Sequence, residues 1–284
     1  MKRKVRATMH GAVSIVNAIA TGRGSSLGIS LKVVAEIEIE KGQGLRIQGK
    51  KGNNLVTSVI HNALPRNVLA DNFLSISIES EIPSGYGLKS SSAVSNALAL
   101  ACNKIINEDI NDYTVLDIAV RSSLDAKVTI TGAYDDASAC YFGGIVLTNN
   151  RTNKLLRRER APDDVYAIIF LPKNPSRGNV HKLAALSDLF SEALNLAERR
   201  EYWKAMKLNG VLTSVILGTN YQTVLNAFEK GALAASTSGN GPSVAALAYK
   251  EEVESIRSVF SKSSYDILVS KLNNQKASVQ EVRG

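Results

Sequence analysis

Residues 73–105 constrain this chain more than any other stretch. FLSISIES (73–80) alternates apolar and polar side chains, the mark of a strand with one buried face. A glycine- and serine-rich loop follows: Pro83, Ser84, Gly85, Tyr86, Gly87, Leu88, Lys89, Ser90, Ser91, Ser92, Ala93. Val94, Ala97, Leu98, Ala101 and Ile105 then recur at helical spacing. Strand, loop and helix start, in that order, make an anion site. The first amides of a helix lack intrahelical partners and carry the positive end of its dipole. Glycines let a backbone approach phosphate without a Cβ in the way. The hydroxyls of Ser90, Ser91 and Ser92 can donate to phosphate oxygens or ligate Mg²⁺, and Lys89 adds a positive charge. The loop is not a Walker A motif, because Leu88 separates Gly87 from Lys89, and it is not GxGxxG. Taken alone it reads equally as a tight turn with a serine cap.

The remaining chain mixes strands and helices without strict alternation, which predicts an α+β fold. VVAEIEIE (33–40) is a half-buried strand, with LRIQG after the glycine turn at 42–44 as its hairpin partner. Helices are predicted over 53–64 and 114–127. The segment ITGAYDDASACYFGG reads as a loop leading into the strand IVLTN. The polar, basic stretch 149–164, with Pro162 near its end, divides residues 1–160 from 161–284. VYAIIFLP begins the second half as a buried strand. Helices over about 179–198, 200–217 and 221–230 follow. A second Gly/Ser loop, STSGNGPS, then runs into VAALAY. A helix over 251–261 and a strand over 265–270 precede a polar tail expected to fray.

Composition narrows the function classes. The 284 residues carry 34 Lys and Arg against 26 Asp and Glu, a formal charge of +8, which favours an anionic partner. The basic residues are scattered, and aromatics are only 6 %, too few for the stacking platforms of single-strand binders. Two cysteines without CxxC, and three histidines without HExxH, exclude a disulfide framework, a zinc ribbon and a zincin. No run reaches the roughly 18 apolar residues of a membrane span. The basic, then apolar, start resembles a signal peptide, but His10, Ser14 and Asn17 interrupt it, so a cytoplasmic protein is expected.

IPSGYGLKSSSA resembles the central motif of the GHMP kinase superfamily, commonly PxxxGLGSSAA. Two further segments agree. GAYDDASACYFGG resembles the segment that carries the family's catalytic aspartate, and STSGNGPSVAAL its C-terminal glycine-rich motif. Within the superfamily, MHGAVSIVNAIATGRGSSLGISL and the pair GLKSSSA with ITGAYDDASA look most like the archaeal-type shikimate kinases. Two positions depart from the wider family: Lys89 replaces a usual Gly, and Ala12 stands where several members carry a Lys.

The resemblance implies the GHMP kinase architecture in two halves. An N-terminal ATP-binding half would resemble the second domain of ribosomal protein S5, and a ferredoxin-like half would follow. ATP and Mg²⁺ would lie over residues 83–93, and shikimate would be phosphorylated at its 3-hydroxyl. Asp136, seven residues before Gly143 and eleven after Asp125, is the expected acceptor-side carboxylate, with Asp135 as runner-up. Asp125 would ligate Mg²⁺ together with Ser91. Asn17 and Arg23 rank first for the acceptor, ahead of Arg177. His10, Ser14 and the turn at Gly239 and Gly241 are further candidates. An Arg would suit the shikimate carboxylate because it pairs bidentately. His181 reads as a surface or helix-cap residue. The helix with Tyr202, Trp203 and Met206 reads as core or as a homodimer contact. Three alternatives stay open: another kinase of the superfamily such as homoserine kinase, a basic nucleic-acid-binding protein on an S5-like fold without catalysis, or a non-catalytic nucleotide sensor.

Overall fold

The computed structural model describes residues 2–48, 53–176, 178–218, 221–258 and 264–282. The chain begins with two long strands, β1 (Arg3–Val16) and β2 (Arg23–Lys41), paired antiparallel along most of their length. The stretch with signal-peptide character is thus built into the fold as β1, and its last eight residues are all buried. In β2 the alternation holds over 33–39: Val33, Ala35, Ile37 and Ile39 are buried, while Glu36 and Glu38 are partly exposed. Residues 24–29 of β2 are buried without alternation. There the strand is covered by later elements, so small residues replace the period-2 signal.

Next come β3 (Gly44–Ile47), α1 (Asn53–Ala63), α2 (Arg66–Asp71), β4 (Asn72–Ser80) and α3 (Ser90–Ile106). The turn at 42–44 does not close the expected hairpin. β4 takes the place beside β2, and β3 runs parallel to β4 on its outer side. The alternating face of β4 buries Leu74 and Ile76, whereas Gly44, Leu45 and Arg46 of β3 are exposed. The better apolar face therefore wins the inner position. α4 (Asp112–Asp125), α5 (Tyr134–Phe142), β5 (Ile145–Asn149) and β6 (Lys154–Glu159) complete this half. α3 crosses β1 and β2 and is flanked by α1, α4 and α5. Such close cover explains its run of buried small residues, Ala97, Ala99 and Ala101 among them.

The second half holds β7 (Val165–Pro172), a 3₁₀ turn at Val180–Leu186, α6 (Ser187–Glu198), α7 (Tyr202–Leu217), α8 (Tyr221–Glu229), β8 (Ala234–Thr237), β9 (Val244–Tyr249), α9 (Val253–Ser258) and β10 (Tyr265–Lys271). Its sheet is antiparallel in the order β10-β7-β9-β8. β7 reads as a continuous apolar run because both faces are covered. Ala167, Ile169 and Leu171 join the main core, and Ile168 and Phe170 join a second core.

The polar tail does not fray. β11 (Ser278–Glu281) crosses back and pairs antiparallel with β1. Its cohesion is backbone hydrogen bonding to an exposed sheet edge, which polar residues serve as well as apolar ones. The architecture is α+β, as expected, with two sheets, and the C-terminal strand β11 belongs to the first of them.

Candidate active site

Three distant segments meet at the head of α3. The loop before the helix turns through left-handed backbone at Gly85, Gly87 and Lys89. At Gly87 a Cβ would stand 2.0 Å from the carbonyl oxygen of Ser238, so only glycine permits the approach of the second glycine turn. Ser238 Oγ donates to the Gly87 carbonyl (2.8 Å), and Ser243 Oγ to the Tyr86 carbonyl (2.6 Å). Asn17, just past the end of β1, donates from Nδ2 to the Gly239 carbonyl (3.0 Å). Ser14 Oγ accepts from the Gly239 amide (3.1 Å). Together they enclose a cavity of about 300 Å³.

The cavity wall includes Ser14, Asn17, Gly85, Gly87 to Ser92, Asp135, Asp136, Gly239 and Gly241. Those sequence-derived candidates are therefore brought together. Pro83, Ser84, Tyr86 and Ala93 are not in the wall. Ala93 is core, and Tyr86 ties the halves through its hydroxyl, which donates to the Pro172 carbonyl (3.2 Å). The sequence missed Ser123 and the 127–131 segment, which also line the cavity.

ITGAYDDASACYFGG is not simply a loop. Residues 134–142 form α5, and Asp135 and Asp136 occupy its first turn, where the helix dipole favours negative charge. Small residues at Ala137, Ser138 and Ala139 hide the helical period because they pack against β1, β2 and α3.

Asp136 Oδ1 is held twice. It lies 2.9 Å from Lys89 Nζ and accepts from Ser26 Oγ at 2.9 Å. Lys89 Nζ also donates to Ser14 Oγ (2.8 Å), and its side chain is only 4 % exposed. Lys89 thus faces inward to a carboxylate instead of standing out as a free charge for phosphate. Its φ of 65° explains why a glycine suits this position in other chains. A lysine there accepts backbone strain of about 1 kcal/mol, and its ammonium meets the partly buried Asp136 in return. Asp136 Oδ2 has no hydrogen-bond partner among the described residues, and Asp136 lines the cavity.

Asp135 is buried. Its Oδ1 accepts from Asn150 Nδ2 (2.7 Å), and its Oδ2 lies 3.2 Å from Ser26 Oγ. Burial, and then the neighbouring charge of Asp136, push its carboxyl up to about 6, against the pull of Lys89 and Asn150. Asn150 is itself fixed, since its Oδ1 accepts from the Asp135 amide and from Thr148 Oγ1. Sequence reading did not reach Ser26 or Asn150. Only pairing of β2 with β5 places them beside α5.

Residues 54–144 match the model of the GHMP kinases N-terminal domain, and residues 188–266 match that of the GHMP kinases C-terminal domain. The chain belongs to the GHMP kinase family. This GHMP kinase is 33 % identical to the shikimate kinase of Methanobrevibacter smithii, over 96 % of this chain and 98 % of that one. It is 36 % identical to the shikimate kinase of Methanococcoides burtonii, over 93 % and 94 %. Among solved structures it resembles homoserine kinase from Cytophaga hutchinsonii, with a TM-score of 0.75, 20 % identity and 98 % and 97 % coverage. Mevalonate kinase from Methanococcus jannaschii gives 0.71 at 18 % identity, with 96 % and 98 % coverage. At those identities the structures show the fold alone. As a family member the chain is an ATP-dependent small-molecule kinase. No helix among the described residues is long and apolar enough to cross a membrane.

Several expected residues of this kinase fall away from the cavity. Arg23 pairs with Glu198 of α6 and is not in the wall. His10 is buried in β1, its Nδ1 has no hydrogen-bond partner among the described residues, and burial pulls its pKa down. Arg177 lies outside the described residues. Asp125 is exposed at the end of α4 and accepts from Asn62 Nδ2 (2.8 Å). It lines a neighbouring depression with Asn54, Thr57, Ser58, His61, Ala126 and Lys127 instead. For Mg²⁺, the oxygen donors in the wall include the hydroxyls of Ser90, Ser91 and Ser92 at the start of α3, that of Ser123 on α4, and the carboxylate of Asp136. One hydroxyl fits a magnesium ion that takes its other ligands from phosphates and water, as this ion commonly does.

Proposed function

We propose that this kinase transfers the γ-phosphoryl group of ATP to the 3-hydroxyl of shikimate, a step toward chorismate and the aromatic amino acids. Full-length similarity to archaeal shikimate kinases supports the acceptor. The single observation that carries the chemistry is Asp136, which lines the cavity with Oδ1 fixed by Lys89 and Ser26 and with Oδ2 lacking a hydrogen-bond partner among the described residues.

The phosphates rest on the first amides of α3 and the hydroxyls of Ser90 to Ser92, where the dipole and unpaired N–H groups favour anions. Ser91 would hold Mg²⁺ together with the nucleotide, and the ion would supply neutralisation of the phosphate charge. Asn17, Ser14 and the backbone of the 239–241 turn line the acceptor side and orient its ring hydroxyls. Asp136 Oδ2 receives the hydrogen bond of the attacking hydroxyl. Its fixed geometry aligns that oxygen with phosphorus, and alignment is the main protein contribution in phosphoryl transfer. Lys89 balances the charge of Asp136. It supplies from the phosphate loop the ammonium that Ala12 cannot provide from β1. Ala12 and Leu88 are themselves adjacent, through the Ala12 amide and the Leu88 carbonyl at 3.5 Å.

A coupled ADP-release assay with shikimate, homoserine and mevalonate tests this reading. Turnover with shikimate alone is expected. Turnover with homoserine or mevalonate, and none with shikimate, overturns it.

A further inference from the structure

Ser26 Oγ sits between two carboxylates, 2.9 Å from Asp136 Oδ1 and 3.2 Å from Asp135 Oδ2. A hydroxyl has one proton to donate. With both acids ionised it satisfies one of them, and the shorter contact assigns that proton to Asp136. The contact to Asp135 then brings two proton-poor oxygens together inside the protein. A proton on Asp135 Oδ2 removes the conflict: Asp135 donates to Ser26, and Ser26 to Asp136. The arrangement is completed, rather than disturbed, by one added proton. The reaction releases one.

We propose that Asp135 is the resting place of the proton lost by the acceptor hydroxyl, reached from Asp136 through the hydroxyl of Ser26. This rests on the reading of Asp136 as the carboxylate that meets the acceptor. As the acceptor oxygen bonds to the γ-phosphorus, the bond from that phosphorus to the β–γ bridging oxygen breaks. ADP leaves with that electron pair. The acceptor O–H proton passes to Asp136. The protonated Asp136 carboxyl turns about its Cβ–Cγ bond to carry that proton from Oδ2 to the Ser26 side, and gives it to Ser26 Oγ as Ser26 gives its own to Asp135 Oδ2. Asp136 is ionised again beside Lys89, and Asp135 loses the proton to water when products leave.

The surroundings favour this direction. Asp135 is the more buried acid, and it lies farther from the ammonium that Asp136 contacts directly. Its carboxyl holds a proton more readily than an ordinary one, for the burial and charge reasons given above. The titratable and charged groups around it are Asp136 and Cys140 on α5 and Lys89 at the head of α3. Ser26 faces it from β2, and Asn150 from the chain after β5. Asp135 acts through Asp136, so it and Ser26 are positioning residues.

The test is the pH profile of kcat/KM with shikimate between about pH 5 and 9, read with single- and double-variant rates. Asp135→Asn is a neutral isostere that still accepts from Asn150 and donates to Ser26. It is expected to lower kcat about 10- to 100-fold, with both KM values within about 3-fold. The acid limb moves down by at least about one pH unit. Asn150→Ala removes a hydrogen bond that favours the ionised form of Asp135, so it moves the acid limb the opposite way. Ser26→Ala lowers kcat similarly, and Asp135→Asn with Ser26→Ala is no slower than the worse single variant. ATP-induced thermal shifts confirm that each variant folds. An unchanged rate and acid limb in Asp135→Asn, or effects that multiply in the double variant, overturn the relay while Asp136 stands. Full turnover in Asp136→Asn removes the underlying reading and the relay with it.

Discussion

At the scale of single residues the site turns on what surrounds each charge. Asp136 is partly open and fixed by one ammonium and one hydroxyl, whereas Asp135 beside it is buried. Asp136→Asn is expected to lower kcat by about 10²- to 10⁴-fold and leave ATP affinity within a few-fold; steady-state kinetics and nucleotide titration check both. Lys89 carries two opposed effects, a left-handed backbone and a buried ion pair. Lys89→Ala and Lys89→Gly both remove the ammonium, but only glycine relieves the backbone. Urea unfolding should find the glycine variant more stable than the alanine variant by about 1 kcal/mol at equal m-value. Asp135 gives a pH signature. Its pKa is raised in the folded protein, to about 6, so the native state binds a proton that the unfolded chain has released. Its stabilising contribution is full below about pH 4 and is lost as pH rises through about 6. The span is on the order of 3 kcal/mol. The stability of the protein relative to Asp135→Asn should therefore fall between about pH 4 and 7, as measured by denaturation at each pH.

At the scale of elements, the site is a junction of turns brought together by β1, α3 and β9. The loop before α3 and the 238–241 turn touch backbone to backbone at Gly87. Gly87→Ala would place a methyl group against the Ser238 carbonyl at φ +79°, so the two turns must separate. Turnover is expected to fall by at least about 100-fold, in line with the cost of about 1 Å of misplacement, and a crystal structure of the variant should show the turns apart. β11 poses a different problem. It covers the outer edge of β1. Truncation after Gln275 exposes that edge, and light scattering should report self-association at concentrations where the full chain stays dispersed.

At the scale of the whole molecule the two halves share one site and one main core, which includes residues of β1, α3, β7 and α7. They are also joined by Tyr86 to Pro172 and by Ser243 to Tyr86. Calorimetry should show a single unfolding transition. Saturating Mg·ATP should raise its midpoint by several degrees, since ligand at 100 times Kd contributes about 2.7 kcal/mol. Two transitions, of which only the first moves with nucleotide, would contradict that coupling.

Local chemistry made much of this legible in advance. The alternation of 73–80, the glycines at 85 and 87, the three serines and the helical spacing after them depend on neighbours a few positions apart. Sequence therefore settled the strand, the loop and the helix start. Motif resemblance carried the family and pointed to Asp136. Other features depend on partners a hundred or more residues away. Whether Lys89 meets phosphate or Asp136, whether Arg23 faces acceptor or Glu198, and whether β3 lies beside β2 or β4 are choices between neighbours that no short window contains. Ser26 and Asn150 gave no signal at all, because a buried serine and asparagine acquire meaning only from the acid packed against them. Tertiary packing decided these points, since pairing β2 with β5 under α5 excludes water and leaves each polar group only its neighbours to bond.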